Sequence, residues 1–147
     1  MTALFEHSPW VEERADARPS SGDRHADLMA VLHGATPEEQ LALIRAHPEL
    51  AGKAAIDRTL TEASAAEQAS AGLDRLSPEE YDRFHALNAA YRERFAMPFI
   101  ICVRLTDKAG ILAAMERRLA NDRDEEVATA VAQIGEIVRL RLQDQTA

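Results

Sequence analysis

A histidine followed by a proline, His47-Pro48, is the first pair of residues whose types suit catalysis. Imidazole exchanges protons near neutral pH, and Pro48 would restrict the backbone that carries it. Because proline disfavours helical geometry in the preceding residue, the helix predicted before Pro48 must end near His47. A histidine at a helix C-terminus is also a favourable partner of the helix dipole without any part in chemistry. The pair therefore fits both a proton-transferring group and a structural residue.

Two other clusters supply polar groups that suit ligand binding. Ser64, Glu67 and Gln68 bring a hydroxyl, a carboxylate and an amide into one short segment. The Ser-x-x-Glu spacing is also that of a capping box, which predicts a helix start at Ser64. Arg139 and Arg141 lie near the end of the predicted last helix, where cations are favoured in any protein. Spacing alone does not separate ligand binding from the structural interpretation.

Signatures of metal and nucleotide sites are missing from the sequence. No His-x3-His, HExxH or CxxC spacing occurs, so we expect no metal. No GxSxG or GxGxxG segment occurs either, which leaves serine-hydrolase and dinucleotide-binding functions without support. Cys102 is the only cysteine, and its place in an apolar run predicts an inert buried thiol.

The charge balance bears on partners and location. The chain has 25 acidic and 17 basic residues and a formal net charge of -8, which repels phosphate backbones and anionic lipids. We therefore expect no nucleic-acid partner. No apolar stretch approaches the roughly 20 residues that cross a bilayer, and no signal-like segment follows the N-terminus, so we expect a cytoplasmic protein that does not enter membranes. An anionic substrate would need a local arginine in so acidic a chain.

The composition predicts one all-α domain. A chain of 147 residues that is 46% hydrophobic is large enough for a single core, so we expect one compact multi-helix domain over residues 1–147. Aromatic residues make up only 5%, while alanine is frequent, which favours closely packed helices.

Capping signals divide this domain into helices. They are Ser8-Pro9, Asp23, Thr36-Pro37-Glu38-Glu39, Ser64 to Glu67, Ser77-Pro78-Glu79-Glu80 and Asp122 to Glu125. Residues 18–22 predict a loop, and the helix from Asp23 should stop at Gly34. A further helix should begin after Thr106, and the last should run from Asp122 to about Gln143. The last helix should bury Val127, Val131, Ile134, Ile137 and Val138.

The helix that starts near Pro78 has the broadest apolar stripe. Its members lie three or four residues apart, and they are Tyr81, Phe84, Leu87, Tyr91 and Phe95. The run from Met97 to Val103 follows, and it is apolar throughout. Because a lone strand would lack a sheet partner, we predict an extended or irregular buried segment there.

Taken together, these segments resemble the OHCU decarboxylase family. The matching stretches are Phe5-Glu6-His7-Ser8-Pro9-Trp10, His47-Pro48-Glu49-Leu50-Ala51-Gly52, Ser64-x-x-Glu67-Gln68-x-x-Ala71-Gly72-Leu73, Phe84-x-x-Leu87-Asn88-x-x-Tyr91, Pro98-Phe99-Ile100-Ile101-Cys102-Val103 and Leu140-Arg141-Leu142. They occur in the family's order over nearly the whole chain. Ala96 stands where the family often has glycine, and Ser20 replaces its usual aromatic residue.

The resemblance implies an all-helical enzyme, commonly a homodimer, that needs no cofactor. Its reaction would decarboxylate 2-oxo-4-hydroxy-4-carboxy-5-ureidoimidazoline (OHCU) to (S)-allantoin in urate breakdown. His47 matches the family's catalytic histidine. Arg139 is an alternative to Arg141, which is the last of the substrate contacts that the resemblance implies. Those contacts are Pro48, Ser64, Glu67, Gln68, the backbone of Phe99, Ile100, Ile101, Cys102 and Val103, and the guanidinium of Arg141.

Two other functions remain open at this point. A helical ligand-binding or scaffold protein would explain the capped helices, but it would not require His47, Glu67 and Arg141 to lie together. A ureide hydrolase would use the same groups to activate water, and its reaction would release no CO2.

Overall fold

The computed structural model describes residues 4–5, 8–47, 62–73 and 75–146. Every regular element in these ranges is helical, as the composition predicts. The elements are α1 (Trp10–Asp16), α2 (Arg24–Gly34), α3 (Pro37–Arg45), α4 (Glu62–Ser70), α5 (Pro78–Phe95), a 3-10 turn (Val103–Leu105), α6 (Lys108–Arg118) and α7 (Arg123–Thr146). No helix among the described residues is long and apolar enough to span a bilayer.

Most of the predicted helix starts are confirmed. Thr36 and Ser77 form reciprocal capping boxes at α3 and α5. The Asp23 side chain accepts from Ala26 N at 3.1 Å, and Asp122 accepts from Glu125 N at 2.8 Å. These caps bind backbone amides at the helix N-termini that have no partner within the helix, and so fix where each helix begins.

One predicted start is wrong, and another is right in position but not in its cap. Ser64 lies inside α4, which already includes Glu62, so the Ser-x-x-Glu spacing does not mark a capping box. Glu62 and Ala63 favour helix, and the helix therefore includes residues before the serine. At α1 the N-cap is Pro9, with no side-chain cap, while the Ser8 carbonyl accepts from Val11 N at 3.3 Å. The backbone turn thus replaces the predicted serine cap.

One core unites the helices. α7 packs against α2 and α3, and α6 packs against α5. On α7, Val131, Ile134 and Val138 are buried as predicted, while Val127 and Ile137 are partly buried. A Cβ at Gly135 would lie 2.8 Å from the Met29 thioether, so a larger residue there would displace the end of this flexible side chain.

The apolar stripe of α5 is confirmed except at its first residue. Phe84, Tyr91 and Phe95 are buried and Leu87 is partly buried. Tyr81 is exposed and stacks on His85 instead, with 6.1 Å between ring centroids. Tyr81 lies in the first turn of the helix, where its ring reaches solvent rather than the core.

The run after α5 is irregular and buried, as predicted, until the 3-10 turn begins at Val103. Ala96 ends α5 in the left-handed conformation, with φ 58° and ψ 34°. Glycine adopts this conformation without the steric cost that a Cβ imposes. The turn into the run therefore has the geometry that favours glycine, although alanine stands there.

Candidate active site

A pocket lies where the end of α3, α4, the irregular run and α7 meet. It is open on one side, and about 470 Å³ of unfilled space, part of it open solvent, lies next to its lining. Its lining consists of His47, Glu67, Gln68, Phe99, Ile100, Ile101, Cys102, Val103, Arg104, Ile137 and Arg141. Nine of these are site residues of the sequence analysis, while Arg104 and Ile137 are additional. Pro48 and the side chain of Ser64 lie outside the described part of the structure.

Arg141 and Glu67 form a two-bond ion pair in this pocket. Nη2 and Nε of Arg141 donate to the two carboxylate oxygens at 2.6 and 2.8 Å. Nη1 donates to the Leu4 carbonyl at 3.1 Å. The planar guanidinium is thereby fixed on two sides, as is typical of arginine bound to carboxylate. A carboxylate has about four acceptor positions, so Glu67 keeps capacity for N–H donors of a ligand.

The end of α4 fixes Glu67 and Gln68 on the pocket side. Gly72 has φ 81°, its N–H donates to Ala69 O at 3.0 Å, and Leu73 N donates to Gln68 O at 3.0 Å. These two bonds form a Schellman motif, which ends a helix at a glycine in the left-handed conformation. The glycine in the segment from Glu67 to Leu73 therefore has a structural role. The same segment places a buried amide, that of Gln68, at the pocket.

His47 follows the last turn of α3. The helix ends at Arg45, and His47 N donates to Ile44 O at 3.1 Å. The predicted helix end near His47 is thus confirmed. The half-buried ring lines the pocket, where an imidazole is accessible to a ligand.

Residues 99–103 form the pocket wall. Cys102 in this wall is buried, and burial raises the pKa of its thiol, as do the carboxylates of Glu67 and Glu136 to a smaller extent. A thiol with a raised pKa stays protonated near neutral pH and is a poor nucleophile. Cys102 therefore contributes shape and backbone to the pocket.

Comparison with known proteins identifies the family. The family model described as OHCU decarboxylase matches residues 1–143. The chain belongs to the OHCU decarboxylase family. The OHCU decarboxylase of Haloferax volcanii is 43% identical over 146 residues, covering 97% of this chain and 84% of that protein.

Two solved structures share the fold of this family member. A crystal structure of (S)-allantoin synthase matches with a TM-score of 0.71 and 27% identity, covering 97% of this chain and 46% of that one. A crystal structure of OHCU decarboxylase in the presence of (S)-allantoin matches with a TM-score of 0.72 and 18% identity, covering 94% and 91%. The second likeness is one of fold.

The alternative arginine is placed elsewhere. Arg139 does not line the pocket; its Nη2 lies 2.7 Å from Oε2 of Glu136, one turn earlier on α7. Residues two apart on a helix face different directions, which explains why only one of the two arginines reaches the pocket.

Sequence reasoning missed a second buried polar cluster, which we call the core pair, formed by Arg118 and Glu126. Arg118 Nε donates to Glu126 Oε1 at 2.8 Å, and Tyr91 OH donates to the same oxygen at 2.5 Å. Asn121 Nδ2 donates to the other oxygen at 2.8 Å. Burial, and then the bond to Glu126, raise the pKa of Tyr91. The available signal was Tyr91 itself, because a tyrosine in an apolar stripe needs a partner for its hydroxyl.

The described residues include no group of three or more His, Cys, Asp or Glu side chains placed to hold a metal ion. Among the described residues, arginine binds the buried carboxylate of Glu126 and the partly buried carboxylate of Glu67. The pocket therefore offers an imidazole, an amide, an ion pair and backbone groups as its chemical resources.

Proposed function

We propose that this protein decarboxylates OHCU to (S)-allantoin in urate degradation, with the pocket at His47 as its active site. The observation that supports this most strongly is the convergence of His47, Glu67 and Arg141 on one pocket, although they come from distant parts of the sequence. A scaffold protein would not require this convergence. The name and close similarity of the Haloferax volcanii relative support the same reaction.

The substrate supplies its own electron sink. One ring carbon carries both the carboxylate and a hydroxyl, and the neighbouring ring carbon is imine-like. When the bond to the carboxylate breaks, CO2 leaves and the electron pair moves toward the neighbouring carbon–nitrogen bond. The hydroxyl then loses its proton to become a carbonyl, and protons added to the ring nitrogen and to the neighbouring carbon give allantoin. The protein must orient the substrate and manage these protons.

His47 is the group in this pocket best suited to take the hydroxyl proton near neutral pH. Glu67 would accept hydrogen bonds from the ureido and ring N–H groups, and Gln68 and Ser64 would add further polar contacts. Arg141 would bind a carboxylate or carbonyl oxygen while it holds Glu67 in place. Pro48 and the backbone of the pocket wall would shape the site, so that one face of the planar intermediate receives the proton.

The same proposal includes finer features that follow from the resemblance and from the composition. The enzyme would act as a cytoplasmic homodimer without metal or organic cofactor, with residues 1–147 as one domain and no nucleic-acid partner. Arginine already binds the carboxylates of Glu67 and Glu126, which supports metal independence. Exhaustive chelation should therefore leave the rate unchanged, and loss of activity restored by one specific metal would contradict this part.

The test generates OHCU from urate with urate oxidase and hydroxyisourate hydrolase, and follows (S)-allantoin by circular dichroism. Wild-type protein should release CO2 and form optically active allantoin faster than the same mixture without it. Arg141→Met should lose at least about tenfold in rate, equivalent to about 1.4 kcal/mol of barrier, whereas the matched Arg139→Met should not. Product without CO2 release would identify a hydrolase, and no acceleration at all would reject the proposal.

A further inference from the structure

Two side chains that do not line the pocket hold the pocket wall, residues 99–103. Nη1 of Arg118, on α6, donates to the Ile100 carbonyl at 2.7 Å. Oε1 of Gln133, on α7, accepts from Cys102 N at 2.9 Å. The two bonds fix the backbone on either side of Ile101, which lines the pocket.

The guanidinium of Arg118 is itself held firmly. Its Nε donates to Glu126, and its Cζ lies 4.3 Å from the centre of the Phe99 ring. Arg118 is 5% exposed and Glu126 is 0% exposed, so water does not compete for these contacts. Because the guanidinium is rigid and planar, its orientation toward Glu126 also sets its contacts with Phe99 and Ile100.

Stability alone is a poor reason for this arrangement. A buried ion pair loses the hydration of both charges, and apolar residues of similar volume often stabilise a protein equally well. Arg118 of the core pair nevertheless donates to a carbonyl of the pocket wall, and Gln133 binds the same wall from another helix. Contacts from two helices on one wall fit a requirement for an accurately placed backbone.

We propose that Arg118 and Gln133 are positioning residues for decarboxylation, which together fix the backbone of the pocket wall against the substrate. The inference rests on the proposed function for its effect on turnover. The effect of these two residues on the pocket wall can be measured without substrate. One proposal can therefore fail while the other holds.

The main variant is Tyr91→Phe/Arg118→Met/Glu126→Leu. It removes both buried charges and the tyrosine hydroxyl together, so that no buried charge is left unpaired, and half-buried Asn121 can bind water instead. The Ile100 carbonyl loses its donor, which is the change that the test requires. Gln133→Met is the second variant, because it removes only the acceptor for Cys102 N. Arg94→Met is the matched control: Arg94 donates to the Asn121 carbonyl at 2.8 Å and lies 5.0 Å from the Phe95 ring centre, but neither group lines the pocket.

The readouts are kcat, the chirality of the allantoin formed, and amide hydrogen exchange of residues 99–103 without substrate. The triple variant and Gln133→Met should each lose at least tenfold in kcat, give less optically pure product and exchange the wall amides at least tenfold faster, while Arg94→Met should match wild type in all three.

A folded variant with wild-type kcat would overturn the proposal, as would lowered kcat with unchanged exchange at the wall. If the triple variant fails to fold, Gln133→Met decides by the same measurements. If wild-type protein does not form (S)-allantoin, the proposed function fails, and the exchange rates still decide whether the two residues hold the wall.

Discussion

The described part of the chain includes two Arg–Glu ion pairs of low exposure, with the same chemistry in different surroundings. The core pair, Arg118–Glu126, is sealed: Glu126 is 0% exposed and accepts from arginine, tyrosine and asparagine side chains. The pocket pair, Arg141–Glu67, opens on the pocket, and the Glu67 side chain is 13% exposed. Each arginine also donates to a backbone carbonyl, Ile100 in the first pair and Leu4 in the second.

The difference lies in what remains for a ligand. In the core pair, three protein side chains donate to a carboxylate that is 0% exposed, so this carboxylate acts on the fold and, through Arg118, on the pocket wall. In the pocket pair, arginine fixes the direction of the carboxylate while part of its surface stays accessible. A buried charge held in one orientation at an open site is suited to binding polar groups of a substrate. We therefore expect the two pairs to respond differently to similar substitutions.

The largest effect should come from breaking the core pair on one side. Arg118→Met leaves Glu126 charged and buried, which should lower the free energy of unfolding by about 3–5 kcal/mol, as measured by urea denaturation. The triple variant described above should recover most of this loss, because it leaves no buried charge. A single variant within about 1 kcal/mol of wild type would show that the core pair is not as sealed as the structure indicates.

In the pocket pair, by contrast, substitution should lower turnover more clearly than stability. Glu67→Gln keeps an acceptor for Arg141 but loses the charge, so turnover should fall at least about tenfold, or about 1.4 kcal/mol of barrier. The free energy of unfolding should fall by about 1–3 kcal/mol, the usual cost of a bond to a charged group. Glu136→Gln is the matched control on the surface pair with Arg139, and it should retain wild-type turnover. Wild-type rates in Glu67→Gln would remove Glu67 from the site.

A smaller effect is expected at Ala96, which precedes the pocket wall and belongs to neither Arg–Glu pair. Ala96→Gly should relieve the left-handed strain at φ 58° and raise the free energy of unfolding by about 0.5–1 kcal/mol. Turnover should stay unchanged, because neither pair is altered. Thermal and urea unfolding measure the gain, and a destabilised variant would mean that the flexibility of glycine in the unfolded chain outweighs the strain.

The sequence predicted local features well and distant partners poorly. Thr36 and Ser77 could be identified as caps because their partners lie three residues away. The Ser64 prediction failed because the same spacing also occurs within a helix. The Arg141–Glu67 bond joins residues 74 positions apart, and Tyr91 meets Glu126 across 35, so no spacing rule indicates either contact. The site residues themselves were identified through the family resemblance, whereas the core pair carried no motif.

The central claim, that this pocket carries the decarboxylation, is tested most directly by His47→Ala in the OHCU assay with circular dichroism. The ring follows the end of α3, and loss of a favourable group at a helix end costs only about 0.3–2 kcal/mol of stability. We predict a folded variant whose formation of (S)-allantoin falls by at least roughly a hundredfold, the scale of losing a general acid–base group. A folded His47→Ala variant that forms (S)-allantoin at the wild-type rate would contradict the claim.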